Sequence, residues 1–589
     1  MSLIAGRKPG LAYAIIWLLL AGLLLFLSRD NVATLSGWDP DDQLRLVQLR
    51  DFLGGQSWWD SSQYRLNAPD GGPMHWSRLI ELPLAAIILA LRPLLGTYGA
   101  EMAAGIIVPL GCYALIAAVL ANIAARIAGH IAGVSALMMA MVAPALSMQS
   151  RPMRIDHHGW QLVCAAIALW TLFWPKPRRA GLLLGLALAV WMHISLEGAP
   201  AAVMFFALLA FGWVRDAGER PRLQAAITAF ALTSLALFFA TQRQGLSGAQ
   251  YCDAISPAHI WAIIAAALSA LAVTALPLAR WPFRLAALAL PAGLAGGLFV
   301  YLAPDCLSGA FAQMDPVVRK YWYAQVNEGL PVWRQDAATA LLFLGVAIAS
   351  LASLPWLRRQ LAPEKSELLV RIVPLQIYAI MLSMLVFRTI SVATLLAIPA
   401  LACAATLLIA RYREEPVLAR RLRYVALFIL LLMPGALLQQ AYLSFAGNAA
   451  ETAAAPITGA QTYSCDSAQS IATLASLPPS RMVAPFDIGP MILLTSAHKV
   501  LASSHHRNQQ GMRDQIDIFR LPPAQSKAII DRRGIAYIVA CPDESELGNY
   551  SKADPDGLWA GLAKGRVPAW LERLPDRGSG IQVWRVRKP

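Results

Sequence analysis

The sequence predicts a polytopic α-helical membrane protein that ends in a small polar domain of helices and strands. Of its 589 residues, 57% are hydrophobic and only 14% are charged, which is unusual for a soluble domain. A helix needs about 20 mostly apolar residues to cross a bilayer, and such stretches recur between Leu11 and Leu443. We therefore expect a membrane domain over residues 1–443 and a separate domain over residues 444–589.

The hydropathy pattern predicts about 13 membrane spans, with the N-terminus in the cytoplasm. The segment 82–95 is apolar but short and contains Arg92, so we expect an interfacial or re-entrant helix there. An odd number of spans places the C-terminal domain on the extracytoplasmic side, together with two long loops at 29–99 and 304–337. The predicted spans are 11–28, 102–124, 132–149, 160–174, 180–194, 198–213, 223–240, 259–276, 285–303, 338–355, 371–387, 390–410 and 424–443.

The formal net charge of +14 is explained by the short loops between the spans. Positively charged short loops mark the cytoplasmic side of a membrane protein. The charge therefore indicates orientation in a membrane, and we expect no nucleic-acid partner. The basic loop residues are Lys176, Arg178, Arg179, Arg215, Arg220, Arg222, Arg280, Arg284, Arg358, Arg359, Arg411, Arg413, Arg420, Arg421 and Arg423.

The cysteines agree with this topology. Three of them fall within predicted spans, where cysteine behaves as a small apolar residue: Cys112, Cys164 and Cys403. The others lie on the predicted outer side, where disulfides persist: Cys252, Cys306, Cys465 and Cys541. Four cysteines allow three pairings, one of which joins Cys252 to Cys306 and Cys465 to Cys541.

The terminal domain shows alternating helix and strand patterns. Residues 481–485 and 535–540 are typical of short buried strands, and residues 471–477 are typical of a helix. This alternation predicts a compact α/β module.

An acidic cluster lies near the start of the first long loop. Asp39, Asp41 and Asp42 place three carboxylates within four residues, and these repel one another unless a cation lies between them. Mg²⁺ and Mn²⁺ favour such oxygen ligands. The alternative is a helix cap before Gln43–Phe52. Both roles are compatible if Asp39 binds metal while Asp41 or Asp42 caps the helix.

A second cluster, Asp156, His157 and His158, lies at the outer end of the third predicted span. Asp156 and His158 are two residues apart, so an extended turn lets both face one ion. A carboxylate with an imidazole suits Mn²⁺ or Zn²⁺. The alternative is a set of interfacial polar residues that ends a helix.

Further polar residues near the predicted outer surface are candidates for a substrate site. His193 and Glu197 are spaced by one helical turn, and ionisable groups at membrane depth usually face a cavity, although a satisfied buried pair is equally compatible. Glu328 lies in the second long loop, and such loops often carry function. Arg388 lies between two spans, where a guanidinium suits phosphate oxygens or extends to lipid headgroups.

At these residues the chain resembles the catalytic subunits of oligosaccharyltransferases, which belong to the GT-C superfamily of membrane glycosyltransferases. Trp38-Asp39-Pro40 followed by Arg45 resembles the first acidic motif of the family, and Asp156-His157-His158 resembles its second motif in the Asp-x-His form. The resemblance implies that Asp39, Asp156 and His158 hold one divalent ion, Mn²⁺ or Mg²⁺. It also implies that Arg388 binds the lipid pyrophosphate and that Glu328 contacts the acceptor.

The terminal domain departs from the family pattern. The family's Trp-Trp-Asp acceptor motif corresponds to residues 484–490 here, which contain no tryptophan, whereas Trp58-Trp59-Asp60 lies in the first loop. The acceptor is therefore open: a glycan, a lipid or a protein site. His505, His506 and Arg507 follow nearby and are expected to help hold the acceptor or the donor phosphate.

Together these features predict an enzyme of the bacterial inner membrane that transfers a sugar or glycan from a polyprenyl-(pyro)phosphate donor to an extracytoplasmic acceptor. The predicted catalytic residues are Asp39, Asp156 and Glu328. One alternative is a GT-C transferase of the protein O-mannosyl or lipid A aminosugar type, and another is a transporter of lipid-linked sugars. Transporters often carry internal repeats, and no repeat is evident. The additional candidates for the substrate site are Asp41, Asp42, His157, His193, Glu197, His505, His506 and Arg507.

Overall fold

A computed structural model describes residues 9–311, 313–446, 465, 467–542, 544–575 and 580–587. The chain divides into two compact units, each assembled from three separate segments. The first, here called the helical unit, consists of Met1–Arg29, Ile106–Ala310 and Asn327–Ala455. The second, the mixed unit, consists of Asp30–Gly105, Phe311–Val326 and Pro456–Pro589. The expected domains, 1–443 and 444–589, were each continuous in the chain, whereas these units interleave.

Helices dominate the chain before the terminal segment. In chain order they are α1 Pro9–Leu27, α2 Arg29–Thr34, α3 Pro40–Leu53, α4 Glu81–Ala128, α5 His130–Val142, α6 Pro144–Ser147, α7 His158–Thr171, α8 Pro177–Ile194, α9 Ala199–Arg215, α10 Arg220–Thr241, α11 Pro257–Ala275, α12 Trp281–Ala287, α13 Ala289–Leu302, α14 Pro316–Tyr321, α15 Ala337–Gln360, α16 Pro363–Val370, α17 Val373–Leu385, α18 Ile390–Glu414, α19 Leu418–Leu432 and α20 Pro434–Ala446.

Among the described residues, nine helices are long and apolar enough to cross a membrane, or up to ten if α19 and α20, which bend by 95°, form one span. This confirms a polytopic membrane protein, with fewer full-length spans than the thirteen expected. Two expected spans correspond to α5 and α7, which are only 13 and 14 residues long. The span expected over 132–149 is cut short because Pro144 disfavours helical geometry at Ala143, which has ψ 107°.

The segment 82–95 forms the first part of α4. The helix is interrupted at Gly96, whose φ of 69° and ψ of 178° are not helical and are readily adopted only by glycine. The break separates this segment from the expected span over 102–124, which continues in α4 after Gly96.

The helical unit is built on close approaches between helices. A Cβ added at Gly181 of α8 would lie 2.2 Å from the Arg222 carbonyl oxygen of α10, and one at Gly185 would lie 2.2 Å from the Ala226 oxygen. Small residues four apart let helix backbones approach in this way. This packing holds α8, whose C-terminal end carries Trp191 toward the candidate site.

The mixed unit contains a five-stranded sheet in the order β2-β1-β3-β5-β4. β1 pairs in parallel with β2 and β3, while β5 pairs antiparallel with β3 and β4. The expected strands at 481–485 and 535–540 correspond to β1 and β3, and the small α/β domain is confirmed. Its elements are α21 Ala468–Ala472, β1 Arg481–Val483, α22 Gly489–Thr495, β2 Lys499–Val500, α23 Gln509–Arg520, α24 Pro523–Arg533, β3 Tyr537–Ala540, α25 Ser545–Ala553, α26 Leu558–Ala563, β4 Leu571–Arg573 and β5 Gln582–Val586.

Segments of both long loops belong to the mixed unit. Arg50 of α3 donates to the Leu494 carbonyl oxygen at 3.1 Å, and Arg65 donates to the Ser496 oxygen at 2.9 Å. From the second loop, Asp315 accepts a hydrogen bond from Arg513 of α23 at 2.7 Å. These bonds explain why the compact units do not follow chain order.

Two disulfides are formed, Cys252–Cys306 in the helical unit and Cys465–Cys541 in the mixed unit. Of the three pairings that the four cysteines allow, the structure selects Cys252 with Cys306 and Cys465 with Cys541. Cys112, Cys164 and Cys403 are free and buried.

Candidate active site

The turn before α7 gathers a carboxylate and two imidazoles in the helical unit. Asp156 is only 2% exposed; its Oδ1 is hydrogen-bonded to His157 Nδ1, and its Oδ2 lies 3.4 Å from His158 Nε2. The two histidine rings are 4.3 Å apart. One ligand atom from each of the three residues lies within 4.8 Å of the others, a spacing and a donor set that fit a divalent metal ion.

Asp156 is held in its ionised form. Burial disfavours the charged carboxylate, but His157, His158 and Arg154 outweigh burial and hold the pKa of Asp156 well below its usual range. Arg154 itself is buried and donates to the side-chain oxygen of Gln149 at 3.1 Å. The carboxylate is therefore available as an anionic ligand at neutral pH.

Gln161 lies on α7 one turn after His158 and links three neighbours. Its Nε2 donates to Glu197 Oε2 at 3.0 Å and lies 3.5 Å from His158 Nδ1. Its Oε1 accepts a hydrogen bond from Trp191 Nε1 at 2.9 Å. Gln161 and Trp191 are both buried, so the hydrogen bond between them is shielded from water.

Arg388 joins two carboxylates across the same site. It lies in the 3₁₀ turn Phe387–Thr389 between α17 and α18. Its Nη1 donates to Glu197 Oε1, and its Nη2 donates to Glu328 Oε1. Glu328 lies in a second 3₁₀ turn, Asn327–Gly329. The predicted candidate Arg388 thus contacts two further candidates, Glu197 and Glu328.

An open cavity adjoins this cluster. Its polar end is formed by His158, Gln161, Glu197 and Arg388, and its walls are mainly apolar side chains of α9 and α17, such as Phe205. A polar end joined to apolar walls suits a ligand with a charged head and a hydrocarbon chain.

The structure does not place His193 one helical turn before Glu197, the spacing expected from the sequence. α8 ends at Ile194, and Ser195 is extended with φ −154° and ψ 132°, so His193 and Glu197 are not one helical turn apart, and the expected spacing is wrong. Among the described residues that line the cavity, Trp191 and Glu197 are present and His193 is not. His193 is buried within the helical unit.

In the mixed unit, Asp39 is the N-cap of α3. Its Oδ1 accepts hydrogen bonds from the backbone N–H groups of Asp41 at 3.0 Å and Asp42 at 3.1 Å. Asp42 Oδ2 accepts a hydrogen bond from the Trp38 N–H at 2.9 Å. The expectation that Asp41 or Asp42 caps this helix is therefore wrong, because Asp39 does so. Its predicted role as a metal ligand stays a prediction.

The three basic candidates after β2 mainly organise the mixed unit. His505 is 2% exposed; its Nδ1 is 2.9 Å from Ser503 Oγ, and its Nε2 is 3.4 Å from Asp41 Oδ1. His506 lies between the rings of His75 and Phe311, at 4.6 and 4.8 Å. These contacts give the histidines a packing role, and their predicted role toward a substrate stays a prediction. Arg507 donates to the Met74 carbonyl oxygen at 3.3 Å.

The sequence reasoning missed Gln161, Trp191 and Arg154. The spacing of His158 and Gln161, three residues apart on a helix, is a signal that could have identified Gln161. Trp191 gives no such signal, since a buried tryptophan in an apolar helix is usually part of the core.

No family model matches this chain, and no curated protein matches it in sequence. Solved structures do match. The oligosaccharyltransferase AglB from Archaeoglobus fulgidus, in complex with an inhibitory peptide and a dolichol-phosphate, matches with a TM-score of 0.65 and 13% identity, over 92% of this chain and 71% of that one. This chain has the oligosaccharyltransferase fold. The predicted resemblance to GT-C glycosyltransferases is thereby confirmed for the fold.

Other structures of the same archaeal oligosaccharyltransferase agree. One tethered to an acceptor peptide with an NVT sequon has a TM-score of 0.63 and 13% identity, over 92% of this chain and 71% of that one. Another, in complex with Zn and sulfate, has a TM-score of 0.58 and 13% identity, over 89% and 67%. The fold extends over most of both chains, while little of the sequence is shared.

Proposed function

We propose that this integral membrane protein is a glycosyltransferase that moves a sugar or glycan from a polyprenyl-(pyro)phosphate donor to an extracytoplasmic acceptor. The observation that carries the proposal is the cluster formed by Asp156, His157 and His158, because His158 lines the polar end of a cavity with apolar walls together with Arg388. A lipid donor fits this arrangement because its head can reach the polar cluster while its chain stays among apolar side chains.

The donor set supports a divalent metal. Asp156, His157 and His158 would hold it, and two imidazoles with one carboxylate suit Mn²⁺ better than Mg²⁺. Such an ion neutralises charge on a departing phosphate group. The crystal structure of the archaeal oligosaccharyltransferase with Zn and sulfate is compatible with this chemistry. Asp39 remains proposed as a further ligand on the basis of its sequence motif.

Arg388 and Glu328 have different roles in this proposal. Arg388 binds the donor phosphate through charge-assisted hydrogen bonds. Glu328 orients or deprotonates the acceptor, and its contact with Arg388, which lines the cavity, supports this role. The acceptor remains a glycan, a lipid or a protein site. The basic loops support a site on the extracytoplasmic side, and a bacterial inner membrane is part of the proposal.

A transfer assay tests the proposal. Purified protein in nanodiscs is supplied with a radiolabelled polyprenyl-pyrophosphate-linked sugar and with membrane extract as the acceptor source, with and without EDTA. We expect label to leave the lipid, the transfer to stop with EDTA, and Mn²⁺ to restore it. Movement of the intact lipid-linked sugar across the bilayer without transfer would instead establish the transporter alternative. Transfer that is insensitive to EDTA would exclude the metal and favour the aminosugar-type alternative.

A further inference from the structure

The side chains of Trp191, Gln161 and Glu197 form a chain of hydrogen bonds that ends on Arg388. None of the roles proposed above uses Gln161 or Trp191. Both residues are buried, and their polar groups lie at the polar end of the cavity.

The two ends of this chain select one orientation of the Gln161 amide. An indole N–H only donates and a carboxylate only accepts, so Oε1 faces Trp191 and Nε2 faces Glu197. The flipped amide would place an oxygen against the Glu197 carboxylate and an NH₂ group against the Trp191 N–H. Both contacts would be repulsive, and so the orientation is determined at both ends.

The two carboxylates on Arg388 are therefore held differently. Glu197 is anchored by Gln161 and its side chain is 30% exposed, whereas the side chain of Glu328 is 52% exposed and lies on a short 3₁₀ turn. A phosphate that approaches Arg388 competes with both carboxylates for guanidinium N–H groups. The more exposed and less anchored partner is the easier one to displace.

We propose that Gln161, oriented by Trp191, is a positioning residue that keeps Glu197 on one arm of Arg388, so that the donor phosphate displaces Glu328 from the other arm. This rests on the proposed function, because it assumes a lipid phosphate at Arg388. Donor binding then releases Glu328 for the acceptor, which predicts that the donor binds before the acceptor.

Binding of undecaprenyl phosphate to the purified chain in nanodiscs, without acceptor, tests which of the two carboxylates the phosphate displaces. Because Glu328 competes with the phosphate, Glu328→Gln is expected to tighten binding by up to about 5-fold. Because Glu197 holds the guanidinium in place, Glu197→Gln is expected to weaken binding by about 10-fold. Two carboxylates on one arginine that only supported the fold would not change affinity in opposite directions.

The positioning step is tested with Trp191→Phe and Gln161→Leu. Each removes one bond of the chain and is expected to weaken lipid binding by about 10-fold, and the double variant should be no weaker than either single one. Trp170→Phe is the matched control, because it removes a similar indole–amide hydrogen bond, of 3.0 Å to Asn122, outside the cavity lining. Thermal melting verifies that each variant is folded. If Gln161→Leu does not fold, Trp191→Phe alone tests the positioning role.

The outcomes separate the two proposals. Wild-type protein that does not bind undecaprenyl phosphate overturns the proposed donor class. Wild-type binding with Trp191→Phe indistinguishable from Trp170→Phe overturns the positioning role of Gln161. Binding that tightens in Glu197→Gln and weakens in Glu328→Gln overturns the order of displacement.

Discussion

The buried side chain of Asp156 organises the two histidines that follow it in the chain. Its two oxygens face these histidines, and its charge is kept by their rings and Arg154. Adjacency in sequence was enough to predict this cluster. The contact between its neighbour Glu197 and Arg388, 191 positions further along the chain, was not predictable in that way.

Asp156→Asn is expected to abolish transfer, with a loss of at least about 100-fold, because the amide removes the anionic ligand while keeping the shape of the side chain. The measurement is transfer of label from the lipid-linked donor. Asp216→Asn is the matched control, since Asp216 caps a 3₁₀ turn, accepting from the Gly218 N–H at 2.8 Å, and asparagine caps as well. Normal turnover in Asp156→Asn would rule out the proposed metal site.

Asp39→Asn separates the two roles considered for Asp39. Asparagine still accepts the hydrogen bonds of the N-cap but carries no charge. We expect unchanged thermal melting and a loss of transfer of about 10-fold or more, from weakened metal binding. Both quantities are measured on the same preparation. Full activity with unchanged melting would leave Asp39 as a helix cap and remove it from the metal site.

At the scale of elements, α25 is tied to the loop after β1 through one carboxyl group. Glu546 Oε2 accepts a hydrogen bond from the Phe486 N–H at 2.8 Å, and its Oε1 accepts one from the Tyr550 hydroxyl at 2.8 Å. Removal from water raises the pKa of Glu546 to about 8, against these two hydrogen bonds, which favour the ionised form. Burial outweighs the hydrogen bonds, so the folded state favours the protonated carboxyl more than the unfolded chain does.

This predicts a pH-dependent stability. Between pH 4.5 and pH 8 the unfolded chain loses the proton of Glu546 while the folded chain keeps it, so the free energy of unfolding falls as pH rises, by at most about 1.4 kcal/mol per unit from this group. Glutamine cannot ionise, so in Glu546→Gln the free energy of unfolding should decrease less as pH rises over this range. Thermal melting at pH 6 and pH 8.5 checks it, and an equal fall in the variant would contradict the assignment.

The elements themselves were predictable to the extent that their patterns are local. The strands β1 and β3 were expected from runs of buried residues, and the cap of α3 from its aspartates. The assignment of the cap to Asp41 or Asp42 failed because it depends on backbone angles at Asp39, which has φ −149° and ψ 174°. The expected span over 180–194 ends where α8 ends, at Ile194. The expected one-turn spacing of His193 and Glu197 failed because it required a helix that continues past this end.

At the scale of the whole molecule, labelling of the cysteines tests whether the two disulfides form. We expect that a maleimide labels three thiols in denatured, unreduced protein and seven after reduction, because two disulfides hold four of the seven cysteines. Intact-mass measurement counts the labels. The native folded protein should react slowly, since the free cysteines are buried. More than three labels before reduction would contradict the presence of two disulfides.

The sequence by itself determined the membrane class, the small α/β domain and the position of the Asp156–His158 cluster, because hydropathy, strand patterns and adjacent ligands are local properties of a chain. Only the tertiary structure decided that Arg388 joins Glu197 to Glu328, that Gln161 is oriented by Trp191, and that the long loops share a compact unit with the terminal segment. These contacts join residues that are distant in the chain. They depend on which helix faces meet and on where each helix ends. A local sequence pattern predicts neither of these.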